Sequence, residues 1–419
     1  MKVASFKNDF AKLIGGGVFA QLLNFLVSPL LSRLFTPQEF GLVGVFSSIV
    51  ALTSVLSTGR YEMAMVLTRN DTDRSRLYSL CVRLLCAVAF LFLVIEWLYS
   101  PIGKALLHVG YEDVGLIFPF ALFSVSFLNI QQSYYTKEKR FSEISLAQVS
   151  GSVSANAFRV LSGLLGGGGL CLLYATITQN AVAWLKLLLS RRNKKDECTE
   201  SESISVIEVA RKYIDYPKFR MFQDLISAIT FNVPQVFLSL QKDLDSVGYY
   251  VFAYRIIQAP CVVIREALRK IIMQRFSSQC DDVEALRKKT VYYTGMILLL
   301  VLPIPVFFAV FNTGLFSLIF GENWAKSGEY AIWISIWVYS FIFIMPISVA
   351  LSMVGKSSLL FVYESIAGVV RVSVLFVSLG CYSEVKSMMI FCIVSFVFNI
   401  VGTVLGYFYL RAGKSLFIR

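Results

Sequence analysis

Histidine is nearly missing from this chain: His108 is the only one among 419 residues. A lone histidine excludes a multi-histidine metal centre, and no serine or cysteine nucleophile accompanies it. Charge is scarce as well, with 16% Asp, Glu, Lys and Arg against 56% hydrophobic residues. A mean hydropathy of +0.67 is too high for a soluble domain of this length. The eight cysteines show no paired spacing, and Cys81, Cys86, Cys171, Cys261 and Cys392 fall inside apolar segments. They read as small buried hydrophobes, with neither a disulfide framework nor a metal site. No Gly-Lys-Ser/Thr follows the Gly15–Gly17 run, so a phosphate loop for ATP is absent. No paired carboxylates suggest a hydrolase or glycosyltransferase. The chain is expected to be neither an enzyme nor a cofactor protein. A cleavable signal is not expected either, because the first apolar run is too long for one.

What the chain does have is long apolar runs with cations in every second gap between them. The clusters are Lys2/Lys7/Lys12, Arg69/Arg74/Arg76, Lys137/Lys139/Arg140, Arg191 to Arg220, Arg265 to Lys289, Lys356, and Arg411/Lys414/Arg419. The intervening gaps hold almost none: Arg33, Lys104, Lys242, Lys326 and Lys386. This is the positive-inside pattern of a polytopic protein with both termini in the cytoplasm. The net charge of +12 therefore reflects anionic lipid and insertion bias rather than nucleic acid.

A bilayer core takes about 20 apolar residues per helix. On that rule about twelve spans lie near 9–33, 39–67, 77–99, 114–136, 142–164, 168–190, 219–240, 245–274, 290–312, 327–354, 357–380 and 386–411. The longest polar stretch divides them six and six, giving a first lobe at 1–190, a cytoplasmic linker at 191–218 and a second lobe at 219–419. An even number of spans per half makes the halves a parallel repeat about an axis along the membrane normal. An internal echo agrees: LSRLFTPQEFGLVGVF (31–46) and LSLQKDLDSVGYYVFA (238–253) share a plan that places Gly41 on Gly248. Gly166 to Gly169 fits a tight outer hairpin. Gly15 to Gly17 and Gly402/Gly406 fit close helix packing.

Charges inside spans carry the chemistry, because a central Arg, Lys or Asp costs roughly 2.5–3.5 kcal/mol on insertion scales. They are Arg60 and Glu62 in span two, Arg83 in three, Arg159 in five, Asp224 in seven, Arg255 in eight, and Glu364 with Arg371 in eleven. Lys186 snorkels from span six to the surface. The i, i+7 spacing of Glu364 and Arg371 puts both on one helix face. A net positive set implies an anionic solute such as phosphate, since guanidinium forks match phosphate oxygens. The competing reading is that each arginine pairs with a carboxylate or carbonyl and fixes helix packing. Glu62, Asp224 and Glu364 either neutralise arginines or take up H+ or Na+.

GRYEMAMVL (59–67), YIDYPKFR (213–220) and FGENWAKSGEYA (320–331) together resemble the Wzx-type polysaccharide flippases of the multidrug/oligosaccharidyl-lipid/polysaccharide exporter superfamily. The likeness runs through nearly the whole chain in order and spacing. It implies an all-α membrane protein, two six-helix lobes in a V around a central cavity. It also implies a cargo: an undecaprenyl-diphosphate-linked oligosaccharide moved from the cytoplasmic to the periplasmic leaflet of the bacterial inner membrane. On that resemblance Arg60, Arg83, Arg159, Arg255 and Arg371 are the candidates for the diphosphate and acidic sugars. Membrane lipids and other polysaccharide-assembly membrane proteins are the other expected partners. A drug/cation antiporter of the same superfamily, and a membrane glycan polymerase or ligase, are the alternatives.

Overall fold

In the computed structural model, residues 2–68, 70–99, 114–192, 205–241, 243–279 and 283–412 are described. His108, the run 193–204 and the last cations lie outside them. Among the described residues there is no strand; the chain is helix after helix. The helices are α1 Lys2–Leu34, α2 Pro37–Ser57, α3 Tyr61–Leu67, α4 Asp71–Tyr99, α5 Val114–Lys137, α6 Phe141–Leu164, α7 Gly169–Arg192 and α8 Val206–Lys212. They continue with α9 Met221–Leu240, α10 Leu244–Gln279, α11 Val283–Val301, α12 Pro303–Phe320, α13 Ala325–Phe343, α14 Met345–Met353, α15 Ser357–Cys381 and α16 Glu384–Ala412.

Every expected span finds a long helix, and ten helical segments are apolar and long enough to cross a bilayer. The helices α6 and α9 fall short of that apolarity because polar residues occupy one side of each. In α6 these include Gln148, Ser152, Asn156 and Arg159. Three expected spans are broken. Span two stops after Ser57, turns through Gly59 and Arg60 at positive φ (58° and 61°), and restarts as α3. Span nine breaks at Pro303 and span ten before Pro346, where proline removes a helix hydrogen bond. The stretch expected as linker is also partly helical. Ser205 caps α8 in a reciprocal box with Glu208, and Tyr216–Arg220 forms one π-helical turn leading into α9.

The helices sort into two compact units. The first comprises residues 1–35 and 42–232, and the second 36–41 and 233–419. In the first, α6 packs between α1 and α7, and small residues set the distance. A Cβ on Gly151 would lie 2.4 Å from the Gln179 carbonyl oxygen, and one on Gly16 would overlap Ser145. In the second, α13 is the central helix, carrying the fully buried Trp337 against Tyr254 and Phe391. The same unit takes in the start of α2. Phe40 stands edge-on to both Phe252 and Trp324, with ring centroids 5.5 and 5.2 Å away. Glycines at 402 and 406 press against Tyr363 and Ile347, as close helix packing requires.

Candidate functional site

The sequence motifs around the intramembrane charges assemble into a clasp within the first unit. Glu62, only 2% exposed, accepts from the Thr58 hydroxyl at 2.6 Å and from Arg60 Nη1 at 3.2 Å. Arg60 Nε lies 2.9 Å from Asp224 Oδ2, an ion pair whose angle falls outside hydrogen-bond geometry. Arg220 approaches the same Asp224 oxygen at 3.4 Å. The left-handed backbone at Arg60 is disfavoured for a residue with a Cβ. Two carboxylates hold it there. Beside it, Pro217 packs on Gly59, and the Tyr61 hydroxyl donates to the Ala210 carbonyl at 3.1 Å. GRYE and YIDYPKFR thus interlock.

A second polar group secures α8. Asp73, 1% exposed, accepts from Lys212 Nζ at 2.6 Å and from the Tyr213 hydroxyl at 3.0 Å. Tyr213 also meets Thr68, whose carbonyl accepts from Lys137 Nζ. The Asp73 hydrogen bond raises the Lys212 ammonium above its ordinary value of 10.5. Several cations that looked like loop charge are engaged in the same way. Arg140 forks onto Glu143 with two bonds of 2.6 Å and lies over the Tyr135 ring.

In the second unit Arg371, 1% exposed, donates to Glu364 at 3.1 Å and to Asn399 Oδ1 at 3.0 Å. Asn399 passes the network to Ser340 on α13. Arg371 is therefore a pin between α15, α16 and α13. Arg159, also buried, donates to Asn156 at 3.1 Å and Gln179 at 3.4 Å.

Of the five candidate arginines, two stand apart. Arg83 is exposed on α4 and Arg255 half-buried on α10, and neither has an ion pair or hydrogen bond among the described residues. Counting about 1.5 Å per residue, Arg83 lies ~18 Å from the start of α4 and Arg255 ~16 Å from the start of α10. Measured instead from the starts of the expected spans at 77 and 245, Arg83 is ~9 Å and Arg255 ~15 Å along its helix, both inside a hydrocarbon core of about 30 Å. The structure brings together Arg60, Glu62 and Asp224, and separately Glu364 and Arg371. All three acidic candidates are spent on arginines. Sequence reasoning missed Asp73 and the amides around Arg159; the polar side of α6 was the available signal.

The fold of this helical membrane protein is similar to that of solved membrane transporters. It superposes on an inward-facing multidrug resistance MATE family transporter of the MOP superfamily with a TM-score of 0.71, at 17% identity, over 94% of this chain and 95% of that one. Against the lipid II flippase MurJ in an inward closed conformation the TM-score is 0.63, at 11% identity, over 98% and 88%. The sequence then narrows the class. Residues 30–329 match the family described as polysaccharide biosynthesis protein, and the chain belongs to that family. It is 25% identical over 309 residues to the succinoglycan biosynthesis transport protein ExoT of Rhizobium meliloti (strain 1021), covering 72% of this chain and 60% of the relative. The protein is accordingly a multi-pass membrane protein of the polysaccharide biosynthesis family.

Proposed function

We propose that this protein is a flippase. It moves an undecaprenyl-diphosphate-linked oligosaccharide, an O-antigen or related repeat unit, from the cytoplasmic to the periplasmic leaflet of the bacterial inner membrane. Both termini stay in the cytoplasm, and the cargo site is exposed to each side in turn. The observation that carries this reading is that Arg83 and Arg255, each inside an expected span, have no ion pair or hydrogen bond among the described residues. A free arginine in a spanning helix is costly unless a polar ligand meets it. A diphosphate is the anion whose oxygens a guanidinium fork matches. Membership of the polysaccharide biosynthesis family, and similarity to a succinoglycan biosynthesis transport protein and to a lipid II flippase, support a polysaccharide or lipid-linked cargo. Arg60, Arg159 and Arg371 shape the helices rather than contact the phosphates.

Drug/cation antiport within the same fold is disfavoured by one feature. A cationic drug needs a free carboxylate, and Glu62, Asp224 and Glu364 each already face an arginine. No ATP-binding motif is present in the sequence, so the driving force is an ion gradient, the membrane potential, or removal of product outside. Deletion of the gene separates the readings. Lipid-linked repeat units should accumulate on the inner leaflet; single units accumulating outside, or drug sensitivity alone, would contradict a flippase.

A further inference from the structure

Within the first unit, α1, α5, α6 and α7 line a partly open cavity of about 270 Å³. Amides dominate its wall: Gln21, Asn24, Gln132, Gln148, Gln179 and Asn180. No charged side chain and no aromatic ring lines it. Six amides around one space inside a bundle of spanning helices is an unusual concentration, because an unpaired amide in an apolar setting costs free energy.

Arg159 lies behind this wall and fixes its polarity. A guanidinium only donates. The atoms facing it, Oδ1 of Asn156 and Oε1 of Gln179, therefore accept. The Asn156 amide must then turn its Nδ2 outward, where it donates to Asn24 Oδ1 at 2.7 Å and the Ser152 carbonyl at 2.9 Å. Asn24 and Gln179 each use one acceptor site of their oxygens in this way, and their NH2 groups are left as the unbonded ends. Asn180 is the opposite case: its Nδ2 bonds the Thr176 carbonyl, and its oxygen stays available. Gln21, Gln132 and Gln148 have no side-chain hydrogen bond among the described residues. The cavity thus presents fixed donors, a fixed acceptor and three adaptable amides.

From this arrangement we infer that the cavity is a subsite for one neutral pyranose ring of the lipid-linked cargo. Sugar hydroxyls both donate and accept, which is what the wall offers. A phosphate would need an exposed cation, a cationic drug a carboxylate, and an apolar drug a ring surface; the wall has none of these. At about 30 Å³ per water the space equals on the order of nine waters, room for one ring. Arg159 is a positioning residue: it orients the amides without touching the sugar. The inference rests on the transport reading above and adds that the cargo's sugar is bound within the first unit.

The test is equilibrium binding to the full-length protein in nanodiscs. Its probes are undecaprenyl diphosphate alone and the same lipid bearing glucose, galactose or N-acetylglucosamine, each measured separately. Gln132→Leu and Gln148→Leu are suitable variants, because both side chains are half-buried and unbonded, and replacing them removes no hydrogen bond of the fold. Thermal melting checks that they stay folded. The wild type should bind at least one sugar-bearing lipid tenfold or more tighter than the bare lipid. The double variant should bind the bare lipid as the wild type does and lose the preference. Equal wild-type binding of all four lipids, or a preference that survives in the folded variant, overturns the subsite and leaves the flippase reading intact. Failure to bind any of them overturns both. Displacement of the sugar-bearing lipid by micromolar methyl glycosides would assign the cavity to a free sugar and also overturn the inference.

Discussion

Gly41 and Gly248 meet with reciprocal contacts. A Cβ on Gly41 would lie 2.2 Å from the Leu244 carbonyl oxygen, and one on Gly248 would lie 1.8 Å from that of Pro37. Each glycine thus abuts the residue four positions before the other, the self-complementary pattern of a local two-fold relation. The same two residues align in the internal sequence echo. The starts of α2 and α10 cross on one another in space.

A methyl group at either position would therefore collide with backbone, which cannot swing aside as a side chain would. Gly248→Ala should cost about 1–3 kcal/mol, the usual range for overpacking. It should lower the melting temperature of the purified protein in detergent. An unchanged melting temperature would contradict the close approach.

The clasp at Arg60 makes a different prediction. Removing one partner of a buried ion pair costs about 3–5 kcal/mol at the fully buried limit, because the other charge is stranded. Arg60→Ala and Asp224→Ala should each lower membrane level and melting temperature. The double variant should be milder than the sum of the two, since Asp224 is no longer stranded by the loss of Arg60, although Glu62 still is. Additive losses would show that the two side chains act separately.

Much of this was legible in the sequence. Spanning segments announce themselves by length and apolarity, and the Glu364–Arg371 pair follows from i, i+7 spacing on one helix. The break at Gly59 and Arg60 was not legible, because a helix that stops at positive φ is held by Glu62 and a distant Asp224. The role of the arginines was not legible either. Arg60, Arg159 and Arg371 look like Arg83 and Arg255 until their partners on other helices are known. One signal was readable: Gln148, Ser152, Asn156 and Arg159 recur on one side of α6, as the wall of a polar cavity requires.

Docking of α8 should depend on Asp73. Asp73→Leu removes the acceptor shared by Lys212 and Tyr213, so amide hydrogen exchange across 205–213 should accelerate. The Lys212 pKa is raised on folding, so its contribution is complete below the ordinary value of 10.5 and is lost only as pH rises through the folded value. Exchange in this segment, corrected for the intrinsic rate, should be flat from about pH 6 to 9 on that account. A marked change within this window would contradict the assignment.

Ion coupling is the remaining question about the carboxylates. With Glu62 engaged by Thr58 and Arg60, the structure favours a holding role. Glu62→Gln should then lower stability while leaving any pH or sodium dependence of transport unchanged in form. Loss of that dependence in a folded Glu62→Gln protein would make Glu62 a coupling residue instead.

The most direct measurement is translocation of an undecaprenyl-diphosphate-linked sugar in proteoliposomes by the Arg83→Ala and Arg255→Ala variants, with melting temperature recorded on the same preparations. Because neither guanidinium holds a partner among the described residues, both variants should melt like the wild type and yet lose transport by tenfold or more. Full transport in both variants would contradict the central claim that these two arginines meet the cargo's phosphates. So would a stability loss that accounts for the missing activity.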